Sequence, residues 1–61
     1  MNNQLRLSPL LRVDTVAMRL EVSIKTVRRE IQRGALHSIK VGGQRRISEE
    51  DLASYLAVGR R

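Results

Sequence analysis

The sequence predicts a small, mostly α-helical domain with one β-hairpin, its elements in the order α–α–β–β–α. Three observations support this prediction. Apolar residues recur at helical spacing in two successive segments, residues 13–20 and 24–33. A segment of alternating character, residues 36–41, is predicted to be a strand and runs into Gly42-Gly43, which indicates a hairpin. A third apolar stripe follows Ser48, so a helix is expected to end the domain.

The first predicted helix, residues 13–20, has Val16, Ala17 and Leu20 at the spacing of one buried face. Ala17 is the small residue that a close crossing between two helices requires. The start of this helix is poorly marked, because Arg12 stands where a capping hydroxyl is expected.

The second predicted helix begins after Ser23, which has the character of an N-cap, and ends at Gly34, which we expect to be the C-cap. Val27 and Ile31 continue its apolar stripe from Ile24. The polar residues turned away from that stripe are Lys25, Thr26, Arg29 and Arg33, with Arg28 and Gln32 on one flank.

Two registers are open to the predicted hairpin. A two-residue Gly-Gly loop places Ile39 opposite Arg46, whereas a three-residue loop, 42–44, places Ile39 opposite Ile47. Because a buried face normally fixes the register of a strand, we favour the three-residue loop. That register sets Lys40 directly against Arg46, a like-charge pair that a bound anion would relieve.

The third predicted helix has Ser48 as its cap, and the acidic residues 49–51 occupy its first turn, where the helix dipole favours them. Capping explains these acids better than a metal site does. Leu52, Tyr55 and Leu56 form its inner face. Tyr55 is also the kind of residue that strand-transfer enzymes use as a nucleophile, but its spacing favours core packing.

Composition excludes several classes of protein. Sixty-one residues suffice for one domain with a compact core. Cysteine is absent and His37 has no plausible metal partners, so we expect no metal, no cofactor, no small-molecule ligand and no catalytic residue. No apolar run approaches the roughly 18 residues of a membrane span. We read no secretion signal at the N-terminus and expect a cytoplasmic location.

All of the net charge of +6 lies in residues 23–47, which we call the basic segment. It contains seven basic residues and one acid, Glu30, whereas the other residues carry five charges of each sign. Positive charge concentrated in this way is the electrostatic footprint that a polyanion requires. The basic segment covers the second helix and the hairpin, so both are expected to face the polyanion.

A helical pair with a short turn, followed by a basic hairpin, is the layout of a winged helix-turn-helix with a two-stranded wing, and it predicts binding to double-stranded DNA. The second helix fits the major groove, about 12 Å wide, where Lys and Arg contact guanine edges or phosphates. A glycine-tipped hairpin lets its arginines reach phosphate or a narrow minor groove. The helix residues expected at the DNA are Ser23, Lys25, Thr26, Arg28, Arg29, Gln32 and Arg33, and the hairpin residues are Lys40, Gly42, Gly43, Gln44, Arg45 and Arg46.

Short motifs along the chain, from Leu10 to about Ala57, resemble those of a known family in their order and spacing. The motifs are Leu10-Leu11, Val16-Ala17, Leu20, Val22-Ser23, Lys25-Thr26-Val27, Arg33-Gly34, Ile39-Lys40-Val41-Gly42-Gly43, Arg45-Arg46-Ile47, Asp51-Leu52 and Tyr55-Leu56. They are similar to the excisionase-family DNA-binding domain, a winged-helix group of the MerR-like superfamily.

The resemblance to this family implies that the second helix lies in the major groove with the wing beside it. It implies either a recombination directionality factor, which steers an integrase toward excision, or a small transcriptional regulator. It also implies cooperative binding of further copies along the DNA.

The sequence departs from the family pattern at three positions. Glu21 stands in a turn where the family often has Gly, which costs energy if φ is positive there. Arg12 replaces the usual Ser or Thr cap. Glu30 replaces a bulky apolar residue, and we expect it to pair with Arg33 or Arg45.

Two other classes of function remain as alternatives. An RNA-binding module is disfavoured because the chain has a single aromatic residue for stacking on bases. A protein-interaction domain of the antitoxin or anti-repressor kind would need a surplus apolar stripe, and none is visible. The predicted organisation is a flexible arm (1–9), the DNA-binding domain (10–57) and a flexible basic tail (58–61).

Overall fold

The computed structural model describes residues 10–59, which form three helices and a three-stranded antiparallel sheet. In chain order the elements are β1 (Leu11–Arg12), α1 (Val13–Leu20), α2 (Ile24–Gln32), β2 (Ile39–Val41), β3 (Gln44–Ile47) and α3 (Glu49–Gly59). The predicted fold class, three helices with a small antiparallel hairpin, is confirmed. The predicted arm, 1–9, and the last two residues of the predicted tail lie outside the described residues. None of the helices in residues 10–59 is long and apolar enough to cross a membrane.

The helical pair α1–α2 is joined by three residues. Arg12 is the N-cap of α1 but makes no capping hydrogen bond with its side chain, whereas the Ser23 hydroxyl accepts the backbone N–H of Thr26 at 3.0 Å and caps α2. Glu21 ends α1 in the left-handed region with a φ of 58°. Gly34 does not occupy the C-cap of α2 as predicted. Arg33 holds that position, and Gly34 follows it with a φ of 84°.

The hairpin has the two-residue loop, and the predicted three-residue loop is wrong. Ile39 pairs with Arg46, Lys40 with Arg45 and Val41 with Gln44. Gly42 and Gly43 both have a positive φ, 57° and 84°, which is the requirement of a type I′ turn and one that two consecutive glycines meet without strain. Lys40 therefore opposes Arg45, and the expected Lys40–Arg46 pair does not form.

The strand β1 explains why the predicted register fails. It pairs with the other side of β3, in the sheet order β1–β3–β2, and sets Leu11 opposite Ile47. Ile47 is fully buried beside Leu11, so it needs no apolar partner on β2. Ile39 consequently stays 42% exposed. The sequence analysis did not predict β1.

The core lies where the helical pair, the sheet and α3 meet. Its buried residues are Leu11, Val16, Ala17, Val27, Leu36, Ile47 and Leu52, with Val13, Leu20, Ile31 and Tyr55 packed against it. Ala17 is buried in α1, and α1 packs against α2. The predicted strand over 36–41 is shorter in the structure and begins at Ile39. Leu36 lies in the loop before this strand and is only 1% exposed.

The helix α3 begins after Ser48, whose hydroxyl accepts the backbone N–H of Asp51 at 3.0 Å, as the sequence predicts. The Arg19 guanidinium donates to both carboxylate oxygens of Glu49, at 3.0 and 3.1 Å, and joins α1 to α3. Leu56 was expected on the inner face but is 40% exposed. The helix continues to Gly59, two residues beyond the predicted domain boundary at 57.

Candidate nucleic-acid interface

One open groove runs between α2 and β3, and the start of α1 and the loop before β2 complete its walls. Four arginines line it, and Asp14 is its one acid. The arginines are Arg12, Arg28, Arg45 and Arg46. The two parts of the basic segment, which are separated along the chain, therefore meet across a single concave surface.

The basic residues of α2 divide between this groove and the outward face of the helix. Arg28 and Gln32 line the groove, in keeping with the flank that the sequence predicts for them, whereas Lys25 and Arg29 do not. Lys25, Arg28 and Arg29 are all exposed. None of the three forms an ion pair with another residue in the range 10–59. Their full charge is therefore available to a partner.

The two hydroxyl residues at the start of α2 are bonded to each other. The Ser23 hydroxyl donates to Oγ1 of Thr26 at 2.9 Å while it accepts the Thr26 backbone N–H. Ser23 is thereby committed to capping. The Thr26 hydroxyl keeps its own proton, which can be donated to a phosphate oxygen or a base acceptor.

Arg33, the last basic residue predicted for the helix, is held by Glu30. The Arg33 guanidinium donates to Oε1 of Glu30 at 3.1 Å, and the Tyr55 hydroxyl donates to the same oxygen at 3.2 Å. The hydrogen bond from Arg33 is the main cause that lowers the pKa of Glu30. Burial, followed by the charge of Glu30, raises the pKa of Tyr55. The expected pairing of Glu30 with Arg33 is confirmed.

The basic residues of the hairpin lie on β2 and on β3, the central strand of the sheet. Lys40 and Arg45 are directly opposed, and Arg46 lies between Ile39 and Arg12 in the sheet. The Arg45 guanidinium donates to the Ser38 hydroxyl at 3.4 Å. The Arg46 guanidinium donates to the Arg45 carbonyl oxygen at 3.1 Å. Gly43, Gln44, Arg45 and Arg46 line the groove, whereas Lys40 and Gly42 do not.

Arg12 is the groove residue that the sequence analysis missed. It lies outside the basic segment, where charges of the two signs balance, so it was not among the residues expected at the DNA. The strand pairing of β1 with β3 sets it opposite Arg46. Its guanidinium also donates to Asp14 at 3.1 Å, an exposed pair in which the arginine is 67% accessible. Only the long-range pairing brings Arg12 here, so no local sequence signal identifies it.

Among residues 10–59, no group of three or more His, Asp or Glu side chains is placed to hold a metal ion. Glu49, from the acidic first turn of α3, is engaged with Arg19. His37 lies in the groove wall beside Ser38.

A family model described as a helix-turn-helix domain matches residues 10–59. The match covers most of the chain, which therefore belongs to the helix-turn-helix domain family. This is a family of DNA-binding domains that includes excisionase-like members. The matched region contains α2, the hairpin and the groove between them. No match was found among curated proteins or among solved structures.

Proposed function

We propose that this chain is a sequence-specific double-stranded DNA-binding protein of the excisionase type, which catalyses no reaction itself. In this role it binds attachment-site DNA and steers an integrase toward excision. The observation that supports DNA recognition most strongly is the groove flanked by α2 and the hairpin, because exposed arginines on both walls converge on it. The nine residues of α2 make a helix about 14 Å long, a size that suits the major groove.

The proposed complex assigns different tasks to the two faces of α2. Lys25 and Arg29, on the outward face, contact base edges in the major groove. Arg28 faces the groove, where it and Arg45 hold the phosphate strand that borders the major groove. The tip of the hairpin extends past this strand toward the neighbouring minor groove. Base contacts then give sequence preference, and phosphate contacts give most of the affinity.

The excisionase role rests on the motif resemblance and on the excisionase-like members of the family. A single module of this size covers about 600–1,000 Å² of DNA contact area, which is a small interface. Several copies on adjacent sites would raise occupancy, so we expect cooperative binding to repeated sequences. The other role, a small transcriptional regulator, would use the same DNA contacts at a different kind of site.

Two substitutions test the assignment of roles. We expect Arg29→Ala to lose about 1–3 kcal/mol of discrimination between cognate and unrelated duplexes, because a base contact is removed. Lys40→Ala should weaken binding to all sequences alike and reduce the salt slope by about 1. The measurement is a fluorescence-anisotropy titration on both duplexes over a series of salt concentrations. For about five phosphate contacts, log Kd should vary with log salt by a slope of about 4.5.

Duplex RNA of the same sequence is the matched control. Its deep, narrow major groove does not admit α2, so it should compete weakly. Equal competition by RNA, or affinity that does not change with salt, would contradict the proposal. Footprinting on genomic DNA next to the gene then separates the two roles. Direct repeats between attachment arms support excision, and a site that overlaps a promoter supports regulation.

A further inference from the structure

The acid Glu30 lies inside the helix that we propose reads DNA, and it is the one acid of the basic segment. An acid in this position reduces the attraction of α2 for phosphate. The proposed function gives it no role. Its side chain lines a small cavity with apolar core residues, but its charged end is bonded to Arg33 and Tyr55.

The two partners of this ion pair differ sharply in exposure. The side chain of Glu30 is 15% exposed, whereas that of Arg33 is 63% exposed. Tyr55 lies on α3, 25 residues further along the chain. Its hydroxyl donates a hydrogen bond to the Glu30 carboxylate and holds that carboxylate in place. The carboxylate is therefore the anchored member of the pair, and Arg33 is the exposed member that it holds.

A simple structural role does not require the negative charge. The hydrogen bond from Tyr55 needs only an acceptor oxygen, which a glutamine would supply equally well. A carboxylate is required for a different purpose, to hold a cation by charge as well as by hydrogen bonding. The cation that it holds is Arg33, one turn from Arg29 and exposed at the end of the same helix.

We propose that Glu30 limits the sequence-independent affinity of this domain for DNA, because its ion pair with Arg33, anchored by Tyr55, withholds that arginine from the DNA backbone. This inference rests on the proposed DNA binding and deepens it. A free Arg33 would add a phosphate contact that strengthens binding to every sequence equally. With Arg33 withheld, binding to unrelated DNA stays weak, and the salt slope lacks the contribution of one phosphate contact.

Glu30→Gln releases Arg33 while the acceptor for Tyr55 is kept. We expect its affinity for cognate and unrelated duplexes to rise by the same factor, about tenfold, so that the specificity ratio stays constant. The salt slope should increase by about 0.9, the contribution of one further phosphate. Anisotropy titrations of wild type and variant at several salt concentrations measure both quantities, and thermal melts compare their folding.

Arg33→Ala separates a released arginine from a simple loss of negative charge. We expect Arg33→Ala alone to leave the salt slope unchanged, because Arg33 makes no phosphate contact in the wild type, while the Glu30 carboxylate that it leaves unpaired lowers affinity for every duplex modestly. In the Glu30→Gln background it should abolish the gain. If Arg33→Ala lowers the salt slope of the wild type, or if the gain in slope persists in the double variant, the inference is overturned while the proposed function stands. Wild-type binding that does not depend on salt would overturn both. The Arg33→Ala measurement decides the question even if Glu30→Gln folds poorly.

Discussion

Glu21 closes α1 in the left-handed region, with a φ of 58° and a ψ of 44°. It is the one residue other than glycine with a positive φ among residues 10–59. The geometry is imposed by the short connection to α2, in which the Glu21 backbone N–H donates to the Met18 carbonyl and that of Val22 to the Ala17 carbonyl. A left-handed residue with a Cβ costs about 1–2 kcal/mol, which the hydrogen bonds at the end of the helix offset.

Replacement of Glu21 by glycine should therefore stabilise the protein. We expect the free energy of unfolding to rise by about 0.5–1 kcal/mol. Glycine relieves the backbone strain of the folded state, but part of this gain is lost because glycine also increases the conformational entropy of the unfolded chain. Urea denaturation followed by circular dichroism measures the change. Glu21→Ala is the matched control, since it removes the same charge but keeps the Cβ. If alanine stabilises as much as glycine, the cause is charge rather than backbone strain.

The hairpin shows how a turn sets the register of a whole element. A type I′ turn over Gly42-Gly43 fixes Val41 opposite Gln44, and all later pairs follow from it. A Cβ added at either glycine would meet nothing within 4 Å, so the constraint there is the backbone angle and not the available space. Lys40 and Arg45 are held opposite each other as a consequence, which concentrates charge where a phosphate would relieve it.

Two substitutions at Gly42 test this constraint. We expect Gly42→Ala to lower the free energy of unfolding by about 1 kcal/mol, because alanine is strained at a positive φ. Gly42→Asn should be nearly neutral, because asparagine tolerates the left-handed region and Asn-Gly is favoured in type I′ turns. Thermal melts of the two variants give the comparison. Equal losses would show that the turn does not depend on the sign of φ.

The whole molecule depends on a small core and a few long-range connections. Seven buried residues contributed by β1, α1, α2, the loop before β2, β3 and α3 form one cluster. Leu36 is among the largest fully buried side chains, at 1% exposure, although it belongs to no regular element. The double hydrogen bond between Arg19 and Glu49 adds a connection from α1 to α3 at the surface. Exposed pairs of this kind contribute little, so the core determines stability.

Truncation of Leu36 should consequently affect the entire domain. We expect Leu36→Ala to lower the free energy of unfolding by about 2–5 kcal/mol, a large part of the total for a domain of this size. The loss should appear as a lower melting temperature in calorimetry, with all elements unfolding together. Ile39→Ala, at a position 42% exposed, is the control and should cost less than about 1 kcal/mol. Similar losses at both positions would contradict the assigned core.

Local signals predicted most of the elements correctly. The spacing of apolar residues predicts the boundaries of α1. Ser23 and Ser48 are predicted as caps because each hydroxyl accepts a hydrogen bond from a backbone N–H three residues later. Predictions that depend on contacts between residues far apart in the chain were less accurate. The register of the hairpin was wrong because Ile47 finds its apolar neighbour in Leu11, which precedes α1. The same strand pairing placed Arg12 in the groove.

The sequence by itself determined the order of the elements from α1 to α3, the fold class and the concentration of charge in residues 23–47. These properties depend on periodicity, capping and composition, which are all readable within a few residues. The tertiary structure decided which charges remain available to DNA. It brought Arg28, Arg45 and Arg46 to one groove and added Arg12 to them. It also placed Tyr55 behind Glu30, and so paired Arg33 with an anchored acid. These contacts join residues that are far apart along the chain, and only the packing of α3 and β1 against the rest brings them within bonding distance.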